Sequence, residues 1–269
     1  MPSLPGTESA PAVRSAWAEG NFAKLAGATV LVGELLCDAV ELHAGARLLD
    51  VATGSGNTAL AAARRRAHVT GVDIVPALLD AARARAEVDG LEMEFRVGAA
   101  EQLPFPDRLF AVVLSTFGAM FAPDSARAAH EMARVCAPGG RVGIAAWVPD
   151  GYFGRLARLL DEAGTGEGKL GPATVWGTSA GIRRLFRGEG RAIRSVKRTV
   201  VFRGDSIEAY VHAFFKWFGP AVSVLQGLDP TAGATLTGQV TELVRASNRS
   251  GDGTVYIPAE YLESVVRLP

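Results

Sequence analysis

The sequence predicts an α/β fold built on a mostly parallel, doubly wound sheet, and three observations lead there. Five apolar, strand-like segments between residues 47 and 147 alternate with segments of helical pattern, the order that puts helices on both faces of a parallel sheet. The first strand runs directly into a glycine-rich turn, Gly54-Ser55-Gly56. At 269 residues and 48% hydrophobic content, the chain is long and apolar enough for one large domain, or a domain with a cap.

The elements follow in order. Residues 1–13 are rich in Pro, Ser and Gly and read as a loose tail. Arg14 to Leu42 has helical spacing, with Leu31, Leu35 and Leu36, or Val32, Leu36 and Val40, on a shared face. Arg47–Val51 reads as a fully buried strand, Asn57–Arg66 as a helix and His68–Asp73 as the second strand. Pro76 opens the next helix, where its missing N–H is harmless, and Asp89-Gly90 stops it. Leu91–Val97 alternates apolar and charged residues, the pattern of a sheet edge with one wet face. Leu109–Leu114 is a continuous apolar run suited to the sheet centre. A helix from Ser125 to Cys136, a Pro138-Gly139-Gly140 turn and a strand Arg141–Trp147 complete the alternation.

The remainder is less regular. Thr178–Phe186 reads as a short helix and Ala192–Phe202 as a strand. Asp205–Gly219 repeats Ile207, Tyr210, Val211, Phe214, Phe215 and Phe218 along one helical face, with Asp205 and Glu208 as a capping-box-like start. Thr231–Ser247 is a second amphipathic helix, and Thr254–Ile257 with a tail closes the chain.

Composition excludes several classes of function. Lys+Arg and Asp+Glu both total 28, which argues against a dedicated nucleic-acid or anionic-membrane binder. The basic run from Arg183 to Arg203 fits no single helix face and reads as a solvated edge. Cys37 and Cys136 form neither a disulfide framework nor a metal-ligand pattern. The uncharged run Leu109–Pro123 is too short to span a membrane, and the N-terminus lacks a signal-peptide order, so a cytoplasmic, small-molecule enzyme is expected.

The chemistry sits in LLDVATGSGNTAL, residues 48–60: strand, glycine turn, helix. Glycine lets backbone approach a ligand that a Cβ would block, and Asp73 at the end of the next strand can accept hydrogen bonds from a ribose diol. The same spacing fits a dinucleotide fingerprint, which would make the chain an NAD-linked oxidoreductase. Asp50 favours another ligand, because a carboxylate before the turn repels pyrophosphate and attracts an ammonium group.

Four blocks in order, 48–57, 69–83, 98–121 and 133–147, resemble the class I S-adenosylmethionine-dependent methyltransferases, specifically the ubiquinone/menaquinone C-methyltransferase-like subgroup. The tail segments 175–186 and 251–265 resemble actinobacterial small-molecule relatives. The resemblance implies a Rossmann-like sheet of seven strands with a helical cap before the last strand. It divides the chain into 1–45 (tail and lid helices), 46–204 (cofactor-binding core), 205–250 (cap) and 251–269 (last strand and tail). It further implies that Asp50, Ala52, Gly54 and Gly56 line the methionyl part of S-adenosylmethionine and that Asp73 holds the ribose. Ile74 would pack on the adenine, Ala100 and Glu101 would border its edge, and Ser115 would lie beside the methionyl portion with a backbone carbonyl. Trp17 and Phe22 resemble residues that close over the cofactor. Two departures stand out: Ala52 replaces the family's first glycine, and Ala99 replaces an acidic residue, removing an adenine acceptor worth roughly 0.5–1.5 kcal/mol.

Methyl transfer from a sulfonium is an in-line displacement that needs a general base only when the acceptor must lose a proton. No obligatory catalytic residue is expected. His43, His68 and His130 read as structural or solvated, and His212 in the cap is the one weak candidate base. Phe117, Met120, Phe121, Trp147, Tyr152, Trp176, Tyr210 and Phe214, with Phe153 and Trp217, are expected around a flat, apolar acceptor. S-adenosylhomocysteine would be the product, and a homodimer is a base-rate expectation. A binding or regulatory protein of the same fold without turnover is the other alternative.

Overall fold

The computed structural model describes residues 10–164 and 173–269. Its centre is a seven-stranded sheet: β1 (Arg47–Val51), β2 (His68–Asp73), β3 (Glu94–Val97), β4 (Phe110–Thr116), β5 (Cys136–Trp147), β6 (Ala192–Gly204) and β7 (Val255–Arg267), in the order β3-β2-β1-β4-β5-β7-β6. Strands β1 to β5 pair in parallel, and β7 runs antiparallel to both neighbours. The chain moves outward through β1, β2 and β3, then crosses to β4 on the other side of β1. The carboxyl ends of β1 and β4 therefore border the crevice where open α/β sheets bind ligands.

Burial follows the sequence pattern. Val113 and Leu114 in the central β4 are fully buried, as are Leu48, Leu49 and Val51 in β1. The wet-faced strand lies at the edge as β3, shortened because Leu91 and Met93 precede the paired residues.

The helices are α1 (Ala10–Ala18), α2 (Ala23–Ala26), α3 (Val30–Ala39), α4 (Asn57–Arg64), α5 (Pro76–Val88), α6 (Ser125–Val135), α7 (Tyr152–Ala163), α8 (Ala173–Trp176), α9 (Ser179–Leu185), α10 (Ile207–Trp217), α11 (Gly219–Gln226) and α12 (Pro230–Ser247). The last three lie between β6 and β7.

Several expectations are corrected. The helical pattern of Arg14–Leu42 divides into α1, α2 and α3, with Gly20 at φ +68° in the first break. Residues 10–13 of the expected tail are helical, and its residues 1–9 lie outside the described residues. Pro138-Gly139-Gly140 is not a turn before the strand. It lies within β5, where the register jumps from Phe110↔Cys136 to Val112↔Arg141 and accommodates the extra residues as a bulge. Ser206, not Asp205, caps α10, its hydroxyl accepting the Ala209 N–H at 3.1 Å. The closing segment is no short strand with a tail: β7 extends through Arg267 and pairs along its whole length with β6. Among the described residues no helix is long and apolar enough to cross a membrane.

Candidate active site

The site begins where β1 ends. Asp50 is 1% exposed, and its Oδ2 accepts hydrogen bonds from Thr53 Oγ1 at 2.6 Å and from the Ala59 N–H at 3.0 Å. Among the described residues no donor is bonded to Oδ1 and no cation pairs with the carboxylate. Burial pushes its pKa up to about 7, against the pull of those two bonds. Asp73 ends β2 and organises the same turn, Oδ2 accepting from Gly54 N–H at 2.8 Å and Oδ1 from Val75 N–H at 2.9 Å. Burial raises its pKa too. The Ile74 N–H also favours the carboxylate, and a carboxylate's four acceptor positions are not exhausted by three backbone donors.

The turn is backbone-driven. Ala52 adopts φ +53° and Gly56, at φ +87°, precedes α4. Left-handed backbone costs a residue with a Cβ, and after glycine alanine is the smallest residue that can hold the position. Its neighbour across the crevice has no such latitude: a Cβ on Gly118 would lie 2.5 Å from the Ala52 Cβ and 2.7 Å from its carbonyl oxygen. Asn57 ties the turn to the N-terminal helices, donating to Ala26 O at 2.7 Å while accepting from Arg85 at 2.8 Å.

Two cavities meet at this crevice. The smaller, about 120 Å³, is lined by Asp50, Ala52, Gly54, Asp73, Ile74, Ala100 and Glu101, and α1 and the following turn bring Trp17 and Phe22 over it. The larger, about 890 Å³, is walled by Phe117, Met120, Phe121, Trp147, Tyr210 and Phe214, together with Phe153 and Trp217. Phe117, Trp147 and Phe153 form a continuous stack, with centroids 3.6 Å and then 4.3 Å apart.

The structure leaves some expected site residues outside. Gly56 faces Ala82 rather than the cavity. The Ser115 hydroxyl is occupied inside the protein, donating to Val51 O at 2.8 Å and accepting from Ala119 N–H at 2.9 Å, and it lines neither cavity. Trp176 is fully buried in the core, its Nε1–H on Ser125 Oγ at 3.0 Å, and Tyr152 is buried beside Phe153; neither lines the larger cavity. His212 is exposed on α10, outside both cavities, so it is not placed to act as a base. His43, His68 and His130 are exposed as well.

Sequence reasoning missed Thr53, Asn57 and Thr58 on the smaller cavity and Phe202, Phe218 and Tyr261 on the larger. Thr53 was open to discovery, since a hydroxyl three residues after a buried carboxylate in a turn is a natural partner. Tyr261 was not, because it reaches Trp147 only through the antiparallel β5–β7 pairing.

A doubly wound sheet with carboxylates near the ends of β1 and β2 and a glycine turn between them is the frame that the resemblance to class I methyltransferases implies. The comparisons with known proteins agree. Residues 48–140 match the model of a family described as a methyltransferase domain. Over 237 residues the chain is 37% identical to an uncharacterized protein of Mycobacterium tuberculosis, covering 86% of each. It is 42% identical over 117 residues to the demethylmenaquinone methyltransferase of Thermus thermophilus, covering 42% of this chain and 53% of that protein. The structure of the YcgJ protein from Bacillus subtilis superposes with a TM-score of 0.62 at 20% identity, over 88% of this chain and 97% of the other. The [4+2]-cyclase SpnF shares the fold as well, with a TM-score of 0.53 at 19% identity over 89% of this chain and 80% of its own, so the fold by itself does not fix the reaction. Residues 48–140 thus form a methyltransferase domain, and over most of its length the chain belongs to one family with the mycobacterial protein.

Proposed function

We propose that the smaller cavity binds S-adenosylmethionine and the larger one a small, apolar, ring-bearing acceptor that receives the methyl group. The observation that carries the reading is Asp50: a buried carboxylate with an unused oxygen and no protein cation, on the wall of a cavity that adjoins a far larger aromatic one. Its chemistry fits the ammonium of a methionyl group, and the acceptor capacity that remains on Asp73 fits a ribose diol. When bound, the cofactor supplies an electrophilic methyl on a sulfonium; the acceptor's electron pair forms the new bond while the C–S pair stays on sulfur, leaving S-adenosylhomocysteine.

The chain's own residues hold, orient and dry the site. A cavity of about 120 Å³ is close to the roughly 150 Å³ that takes one benzene, so admitting a cofactor requires α1 with Trp17 to lift. In this reading 46–204 with the final strand hold the cofactor, and 205–250 cover the acceptor. Tyr210 and Tyr261, which line the larger cavity, are both pushed up to about 12 by burial and stay protonated at neutral pH. Neither tyrosine is therefore the base for an acceptor that must lose a proton, and a phenolate, an amine or an electron-rich ring carbon would need none from them.

The test is titration calorimetry with S-adenosylmethionine, S-adenosylhomocysteine and NAD, on wild type and Asp73→Ala. Micromolar binding of both sulfur nucleosides, no binding of NAD and loss of most affinity in Asp73→Ala are expected. Binding of NAD alone, or an Asp73→Ala variant that is folded and binds like wild type, would overturn the assignment. The variant also leaves the Gly54 and Val75 N–H groups without their acceptor, so its folding is checked by circular dichroism.

A further inference from the structure

A methyl group passing from one cavity to the other must cross the residues that line both. Those are Trp17, Phe22, Thr29, Phe117 and Phe121, four aromatic rings and one hydroxyl, with no charged side chain among them. We propose that these rings form a collar that recognises the positive charge of the cofactor's sulfonium, with the face of Phe117 as its principal contact. The inference rests on the cofactor reading above.

Three observations support it. First, Phe117 has φ +56°, a genuine outlier for a bulky side chain, and such strain persists only where surrounding contacts enforce it. Its N–H donates to Ala145 O at 2.9 Å, and Trp147 stacks on its ring at 3.6 Å with 3° between planes. One face is thereby covered, and the ring lines the two cavities with the rest of its surface. Second, the other rings stand as crossed walls: Trp17 meets Phe22 edge-on at 5.6 Å and 86°, and Phe121 at 5.1 Å and 53°. Crossed rings present negative π-faces around a common space, the arrangement that recognises onium cations. Third, Trp17 is further held edge-on against Phe218 at 5.3 Å and 82°, so closing α1 completes the wall by packing against the segment that leads into α11.

A collar of this kind has a signature that plain apolar packing lacks. The substrate carries a sulfonium and the product a neutral thioether of almost the same shape, so the rings should discriminate between them. The experiment measures calorimetric Kd values for S-adenosylmethionine and S-adenosylhomocysteine on wild type, Phe117→Leu and Phe117→Tyr, with Trp17→Leu as a second wall on the outer helix. Phe117→Leu is expected to weaken S-adenosylmethionine about five- to tenfold and S-adenosylhomocysteine less than twofold, while Phe117→Tyr keeps the wild-type ratio. Trp17→Leu should shift the ratio in the same direction. Equal weakening of both ligands in the two leucine variants would show that the rings only pack, and would overturn the proposal while leaving the cofactor site intact. Failure of wild type to bind either nucleoside would overturn the cofactor reading itself, a distinguishable result.

Discussion

Removing the charge of Asp50 should stabilise the ligand-free protein, and more so as the pH rises. The carboxyl has an ordinary pKa of 3.8 in an unfolded chain and about 7 when buried at the end of β1. A raised carboxyl pKa means the native state holds its proton more tightly than the unfolded state. Stability from this group is therefore greatest at low pH and is lost as pH climbs from about 4 through about 7. At about 1.36 kcal/mol per decade, ionised Asp50 costs the native state about 4 kcal/mol at pH 8 and roughly 1.5–2 kcal/mol at pH 5. Asn has no charge to desolvate, and its carbonyl can take over the bonds from Thr53 Oγ1 and Ala59 N–H. In urea titrations without ligand, Asp50→Asn should exceed wild type in unfolding free energy, with the gap widening by about 2.5 kcal/mol between pH 5 and pH 8. In the presence of S-adenosylmethionine the order should shrink or reverse, because only the carboxylate gains an ammonium partner. A gap that stays constant with pH, or an Asn variant less stable than wild type at pH 8, would refute the picture of a buried carboxylate awaiting its cation.

Two further outcomes follow from packing and placement. Gly118→Ala brings a Cβ within 2.5 Å of the Ala52 Cβ and 2.7 Å of its carbonyl oxygen, and the expected loss of about 1–3 kcal/mol in chemical denaturation should be recovered only in part in the double variant with Ala52→Gly, which removes the clashing methyl but not the carbonyl. His212→Ala should leave turnover within twofold of wild type across pH 6–8 once an acceptor is in hand, since the ring sits on the exposed side of α10; a large drop in a pH profile would restore it as a base.

Legibility of the fold tracked how local the information was. β1 and β2 were legible to the residue because a strand buried on both faces is a bounded apolar run, as in RLLDV. The α7 helix was overlooked although Tyr152, Leu156 and Leu160 recur every four residues and are all buried, a signal plain in retrospect. Pro138-Gly139-Gly140 misled because the same residues that make turns also make bulges, and only the partner strand decides between them. At the site, the residues near the glycine turn were legible because strand ends and turn converge by topology alone. The wall of the larger cavity was less so: Trp176 and Tyr152 are as aromatic as Phe117, and only the packing sends them into the core. At Ser115 the hydroxyl is taken up by its own backbone neighbours, which leaves a role for its backbone carbonyl as expected from the sequence untouched.

The pairing of Gly204 with Val255 gives the cap a simple topological standing. β6 and β7 are adjacent antiparallel strands, so everything from 205 to 254 is one greatly enlarged hairpin connection. Because closure entropy rises only logarithmically with loop length, such a connection can grow, shrink or be exchanged at little cost to the ladder beneath it. The glycine turn, Asp50 and Asp73 belong to the opposite half of the sheet and are untouched by such an exchange. The part of the larger cavity's wall that α10 supplies can thus change by rewriting one loop while the turn that carries Asp50 and Asp73 stays in place, and of the smaller cavity's lining Trp17 is a residue that would have to find a new partner, because Phe218 belongs to that loop.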